Sequence, residues 1–128
     1  DWSSDVCSSD LSDIGPSVRR AAARGLGQLQ WQGLDQGERL AVQERSLEAL
    51  EAGSEDGEWV VRYAVVVGLE GLGIAVAPAV SAGGGTAEAT LFSRVLQTLE
   101  QRLAGEAETI PVVRLRAGQA LARLRAAD

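Results

Sequence analysis

Apolar residues recur along the chain at helical spacing, and one spacing occurs three times. Around Arg62 in the stretch EWVVRYAVVVGLEGLG, Glu58 to Gly73, Val61 precedes the arginine and Val65, Leu69 and Leu72 follow at plus three, seven and ten. The same offsets from Arg19 give Val18, Ala22, Leu26 and Leu29, and from Arg114 they give Val113, Ala117, Leu121 and Leu124. Residues so spaced share one face of a 3.6-residue helix, which must be buried. An acid stands six positions before each arginine, at Asp13, Asp56 and Glu108. Three before each stands Pro16, Trp59 or Pro111. Proline suits the first helical position, because the donor it lacks would be unpaired there anyway. The pattern predicts three copies of one helix, here A.

Two further patterns lie between the copies: Gln36 to Ala52, with Leu40, Leu47 and Leu50, and Ala87 to Leu103, with Leu91, Phe92, Val95, Leu96, Leu99 and Leu103. The chain order is therefore A-B-A-B-A. Arg19 and Arg62 are 43 residues apart and Arg62 and Arg114 are 52 apart. The first separation falls in the range of about 40–47 residues for HEAT and armadillo units. The second accommodates the inserted stretch Ser81 to Thr86. The fold expected is all-α, an α-solenoid of about two and a half helical pairs. Gly68, Gly71 and Gly73 read as the punctuation that ends the second A helix.

Residues 1–11, DWSSDVCSSDL, carry no sustained apolar period and resemble a translated sequencing-adaptor read. We therefore read 1–11 as an artefactual or disordered tail, and 12–128 as a repeat domain forming the C-terminal part of a longer protein. On that reading Trp2 and Cys7 carry no function.

Composition narrows the chemistry. The net charge is −6, and all 12 cations are arginine. A nucleic-acid binder needs a basic stripe, so the balance has the wrong sign. Aromatics are only 4%, which leaves alanine, valine and leucine to build the core. No uninterrupted apolar run approaches 18 residues, so membrane insertion is not expected. There is no histidine, and the single cysteine lies in the tail. Catalytic triads, cysteine–histidine pairs and histidine or cysteine metal sites are excluded. The acids Glu55, Asp56 and Glu58, and Glu106 and Glu108, read as turn and helix-start charges rather than a metal or catalytic cluster. Gly83 to Gly85 lacks the Lys-Ser/Thr that completes a phosphate loop.

Arg19, Arg62 and Arg114 read as a structural ladder, each pairing with the acid of its own or a neighbouring inter-helix turn, since guanidinium and carboxylate match bidentately. Trp59 and Tyr63 are neighbours on one helix face. With Trp31 they serve either inter-repeat packing or part of a binding surface.

The repeat pattern is similar to the HEAT-like repeats of phycobilisome lyases. SVRRAAARGLGQLQW, Ser17 to Trp31, and EWVVRYAVVVGLEGL, Glu58 to Leu72, resemble the F-type subunit of the E/F phycobilin lyases, and PVVRLRAGQALARL, Pro111 to Leu124, resembles the closing helix of such proteins. The resemblance implies a cyanobacterial, cytoplasmic protein near the thylakoid-associated phycobilisomes. With an E-type subunit it would attach phycocyanobilin, a substrate and not a prosthetic group, to a cysteine of phycocyanin α through a thioether. Related repeats imply two alternatives, a protein of phycobilisome breakdown that detaches bilin and a non-catalytic scaffold. No catalytic motif carries over residue by residue.

Deleting residues 1–11 is expected to leave stability within about 0.5 kcal/mol, as for changes away from packed features. A thermal melt followed by circular dichroism checks this, and a loss of helicity would show that the tail belongs to the fold.

Overall fold

The computed structural model describes residues 15–28, 33–83 and 85–127. Among the described residues five helices follow one another: α1 (Pro16–Gly27), α2 (Gln36–Gly53), α3 (Trp59–Ser81), α4 (Thr86–Leu103) and α5 (Pro111–Ala127). No strand occurs among the described residues. The fold is all-α, in the expected A-B-A-B-A order. Residues 1–11, Asp13, Leu29 and Trp31 lie outside the described residues.

Local chemistry explains where the helices begin. Pro16 and Pro111 each open an A helix, where a missing N–H costs nothing. At α2, the Glu38 amide donates to the Asp35 carboxylate at 2.8 Å, and the Glu38 carboxylate accepts from the Asp35 amide at 3.2 Å. This reciprocal cap satisfies two otherwise unpaired donors.

Helices α1, α3 and α5 form one layer and α2 and α4 a second, with α3 packed against all four others. That central position explains the burial pattern. Val61, Val65, Leu69 and Leu72 of the second copy and Val113, Ala117, Leu121 and Leu124 of the third are all at most 2% exposed. Leu47, Leu50, Leu91, Phe92, Val95 and Leu99 meet them from the B layer. In the first copy Val18 remains 52% exposed, and Ala22 and Leu26 are half-buried.

The glycines of α3 do not end the helix, contrary to the sequence expectation. The helix runs on to Ser81, passing through Pro78. Its glycines instead allow backbone-to-backbone approach. A Cβ on Gly68 would lie 2.5 Å from the Ala23 carbonyl oxygen of α1, and one on Gly73 would lie 2.8 Å from the Leu124 side chain of α5. One on Gly71 would collide with Gly27. Each glycine's helix-propensity cost of about 1 kcal/mol is offset by the close packing it permits. The helix stops where Gly83 takes φ +76, a left-handed conformation that glycine adopts without strain.

Although interrupted by Arg62 and Glu70, α3 has the length and hydropathy of a membrane span, with a mean hydropathy of 1.8 over its richest window. Its apolar character follows from burial on several sides.

The ladder arginines reach forward one repeat. Arg19 donates through Nε and NH2 to Asp56 at 2.7 and 2.9 Å, and Arg62 through the same nitrogens to Glu108 at 2.8 and 2.9 Å. Arg62 NH1 also donates to the Asp56 carbonyl at 2.8 Å. Burial opposes the charge on Glu108, but Arg62 and the Ile110 amide outweigh it and hold the carboxyl below its ordinary range. The Arg19 hydrogen bonds hold Asp56 low as well.

Leu69 is fully buried, so Leu69→Ala is expected to cost about 2–5 kcal/mol, read as a lower denaturation midpoint. Because the folded-state pKa values of Asp56 and Glu108 are depressed, their contribution to stability is complete above the ordinary values of 3.8 and 4.5 and lost as pH falls below them. The melting temperature should therefore hold from pH 7 to about 5 and then drop. Glu108→Gln leaves the partly buried Arg62 without its carboxylate, is expected to cost about 3–5 kcal/mol at pH 7, and should flatten that acid limb.

Candidate functional site

The aromatic pair chosen from the sequence stands on the outer side of the A layer. Trp59, at the first position of α3, is 44% exposed, and Tyr63, one turn on, is half-buried. Seven residues beyond Tyr63 on the same helix stands Glu70, only 5% exposed, and then Ile74 at 36%. These positions trace one stripe along α3.

Helix α5 lies beside that stripe and supplies two arginines. Arg116 donates to Glu70 through NH1 at 3.0 Å and NH2 at 2.7 Å. Arg123, one heptad on, touches the same carboxylate at 3.4 Å while its side chain stays 66% exposed. Tyr63 lies close enough to Arg116 to add to its stabilisation. Hydrogen bonding to Arg116 holds the Glu70 carboxyl below its usual range against the effect of burial, with Arg123 adding to it. Two guanidiniums around one carboxylate leave a net positive charge, with Tyr63 beside Arg116.

This seam can bind and orient. Its charged groups do not exchange protons near neutral pH, because Glu70 is ionised and arginine does not deprotonate. Among the described residues no group of histidine, cysteine, aspartate or glutamate could hold a metal ion. The exposed part of Arg123 can meet an anionic group, and Tyr63 lies beside the neighbouring Arg116.

A second concavity lies between α2 and α4, lined by Leu40, Glu44, Thr86, Ala87, Thr90, Leu91 and Arg94, with a volume near 220 Å³. That is below the roughly 300–1,000 Å³ of sites that enclose drug-sized ligands. Its cation is occupied, since Arg94 grips Glu51 at 2.7 and 3.2 Å.

The structure thus brings Trp59 and Tyr63 together. It places Arg19 and Arg62 in the inter-repeat contacts and Arg114 on the carbonyls of Leu103, Gly105 and Glu108. Glu70, Arg116 and Arg123 were not singled out in the sequence, yet signals for them exist. Glu70 is the only acid in α3, and α5 holds four arginines with no acid of its own. Both facts point to charge partners on another helix.

Comparison with known proteins gives this arrangement a context. No family model matches the chain. Over 113 residues, 88% of the chain, it is 42% identical to "Bilin biosynthesis protein RpcF" of Synechococcus sp. (strain WH8020), and over 62 residues, 48% of the chain, 53% identical to "Phycocyanin alpha phycocyanobilin lyase CpcF" of Synechocystis sp.. These matches span 47% and 29% of the two relatives, so the chain corresponds to less than half of either. Among solved structures, the complex of CpcE and CpcF of phycocyanin lyase from Nostoc sp. PCC7120 superposes with a TM-score of 0.64 at 34% identity, covering 91% of this chain and 58% of that one. The resemblance carried by Ser17 to Trp31 and Glu58 to Leu72 thus extends over most of the chain, which is a relative of the F-type subunits of the phycobilin lyases.

Proposed function

We propose that the chain is part of an F-type bilin lyase subunit that works with an E-type subunit to attach phycocyanobilin to a cysteine of phycocyanin α. The observation that carries this reading is the superposition on the CpcE–CpcF complex over 91% of the chain. The same reading places the protein in the cyanobacterial cytoplasm beside the phycobilisomes.

The chemistry asks for what the seam offers. The acceptor's thiol sulfur adds to the ethylidene carbon of the bilin, a C–S bond forms as the C=C π bond breaks, and the thiol proton passes to the tetrapyrrole. No oxidant or reductant is needed, and the nucleophile belongs to the acceptor. The lyase contributes position, and holding two reactants in register supplies about 7–11 kcal/mol. Arg123 would pair with a propionate of the bilin, with Trp59 and Tyr63 against its pyrrole rings. Glu70, held ionised by Arg116, would keep Arg123 in place rather than transfer protons.

Because the chain spans only part of its relatives, the test uses a chimaera in which residues 15–127 replace the segment of the Nostoc lyase chain that superposes on them. Co-expressed with the E-type subunit, phycocyanin α and bilin, the chimaera is expected to give covalent, zinc-fluorescent phycocyanin α. Arg123→Glu is expected to lower the yield about tenfold, as for loss of one charge-assisted hydrogen bond. A folded chimaera that forms no adduct, or that removes bilin already attached, would overturn the reading.

A further inference from the structure

The seam between α3 and α5 carries its polar groups in a fixed order. Tyr63 lies beside Arg116, Arg116 grips Glu70 at 2.7 and 3.0 Å, and Glu70 meets Arg123 at 3.4 Å. The four side chains therefore zigzag between the two helices. Glu70 is only 5% exposed, and its two hydrogen bonds fix the Arg116 guanidinium. Tyr63 is half-buried, so part of it stays open.

Hydrogen-bond polarity sets how the phenol is presented. A guanidinium has donors and no acceptor, so Arg116 meets the lone pairs of the Tyr63 oxygen and the phenol's own hydrogen turns elsewhere. Its charged neighbours Arg116, Glu70 and Arg123 give up no proton near neutral pH. The chain has one tyrosine and no histidine. A proton leaving that hydroxyl uncovers a phenolate that faces a cation already in place.

We propose that Tyr63 is the proton donor of the attachment reaction, with Arg116 and Glu70 as positioning residues that hold its hydroxyl and Arg123 on a propionate farther along the seam. The proposal rests on the functional reading above and adds a catalytic residue to it. As the acceptor's sulfur bonds to the outer carbon of the ethylidene, the π pair moves to the inner carbon, which takes the phenol proton. The thiol proton then restores Tyr63. One C–S and one C–H bond form, one S–H bond and one C=C π bond are lost, and no oxidant or reductant enters. Arg116 and Arg123 are separated by two helical turns, about 10.5 Å at 1.5 Å per residue, which is the reach of one pyrrole ring and a propionate arm.

The test uses the chimaera described above with an E-type subunit, phycocyanin α and phycocyanobilin, and follows adduct formation between about pH 6 and 10, a range that includes the ionisation of phenols. Wild type is compared with Tyr63→Phe and with a form carrying 3,5-difluorotyrosine at position 63. Tyr63→Phe is expected to lower kcat about a hundredfold with KM for bilin little changed, and to lose the fall in rate at the alkaline end. The fluorinated phenol is the stronger acid, so that fall should move to lower pH. A tyrosine that serves packing alone would move neither limb. Thermal melts check folding, and the fluorinated form keeps the hydroxyl and decides the matter if Tyr63→Phe is destabilised. Wild-type kcat in Tyr63→Phe, or the same alkaline limb in all three forms, removes the proton donor and leaves the functional reading standing. A folded wild-type chimaera that forms no adduct removes the functional reading and this proposal with it.

Discussion

A buried guanidinium must keep its carboxylate, and this constraint ties one repeat to the next. The Glu108 side chain has no solvent exposure, and Arg62 is largely covered. Removing either group would leave the other charged and desolvated, which is far more costly than loss of a surface ion pair. Because each arginine sits early in its own A helix and the acid lies on the turn before the next, the pair fixes where the next helix begins. The spacing of the repeats is thereby set by two hydrogen bonds of defined length. Apolar packing then follows, bringing Leu69 and Leu72 of α3 and Leu121 and Leu124 of α5 to full or nearly full burial.

The other constraint is steric. Gly68 and Gly71 bring α3 against the backbone of α1, and Gly73 admits Leu124. With so few aromatic residues, the core gains density from backbone proximity rather than from large rings. Small residues therefore carry sequence information that is easily misread. The same glycines read as a helix end when only local propensity is considered, and the tertiary approach of a neighbouring helix overrides that propensity.

Helix content, order and the buried faces were legible because the 3.6-residue period and the thrice-repeated offsets are local properties of the chain. The ladder was half legible. The acids and arginines were visible, but forward pairing across 37 and 46 residues depends on which turn the stack brings near. Trp59 and Tyr63 were recognised as neighbours because they lie on one helix. Glu70, Arg116 and Arg123 were missed because their meeting is a contact between helices 46 and 53 residues apart in sequence. No single-helix period encodes that contact. The positive, aromatic-flanked character of the seam exists only in three dimensions.

The central proposal is that the α3–α5 seam, rather than the α2–α4 cleft, would hold an anionic tetrapyrrole. The direct measurement is an isotope-edited NMR titration of the chain, mixed with an E-type subunit, with phycocyanobilin. The account predicts that the Nε–H signals of Arg116 and Arg123 and the amides around Trp59 and Tyr63 shift saturably. Shifts confined to the cleft residues Leu40, Thr90 and Arg94, with the seam unmoved, would contradict it.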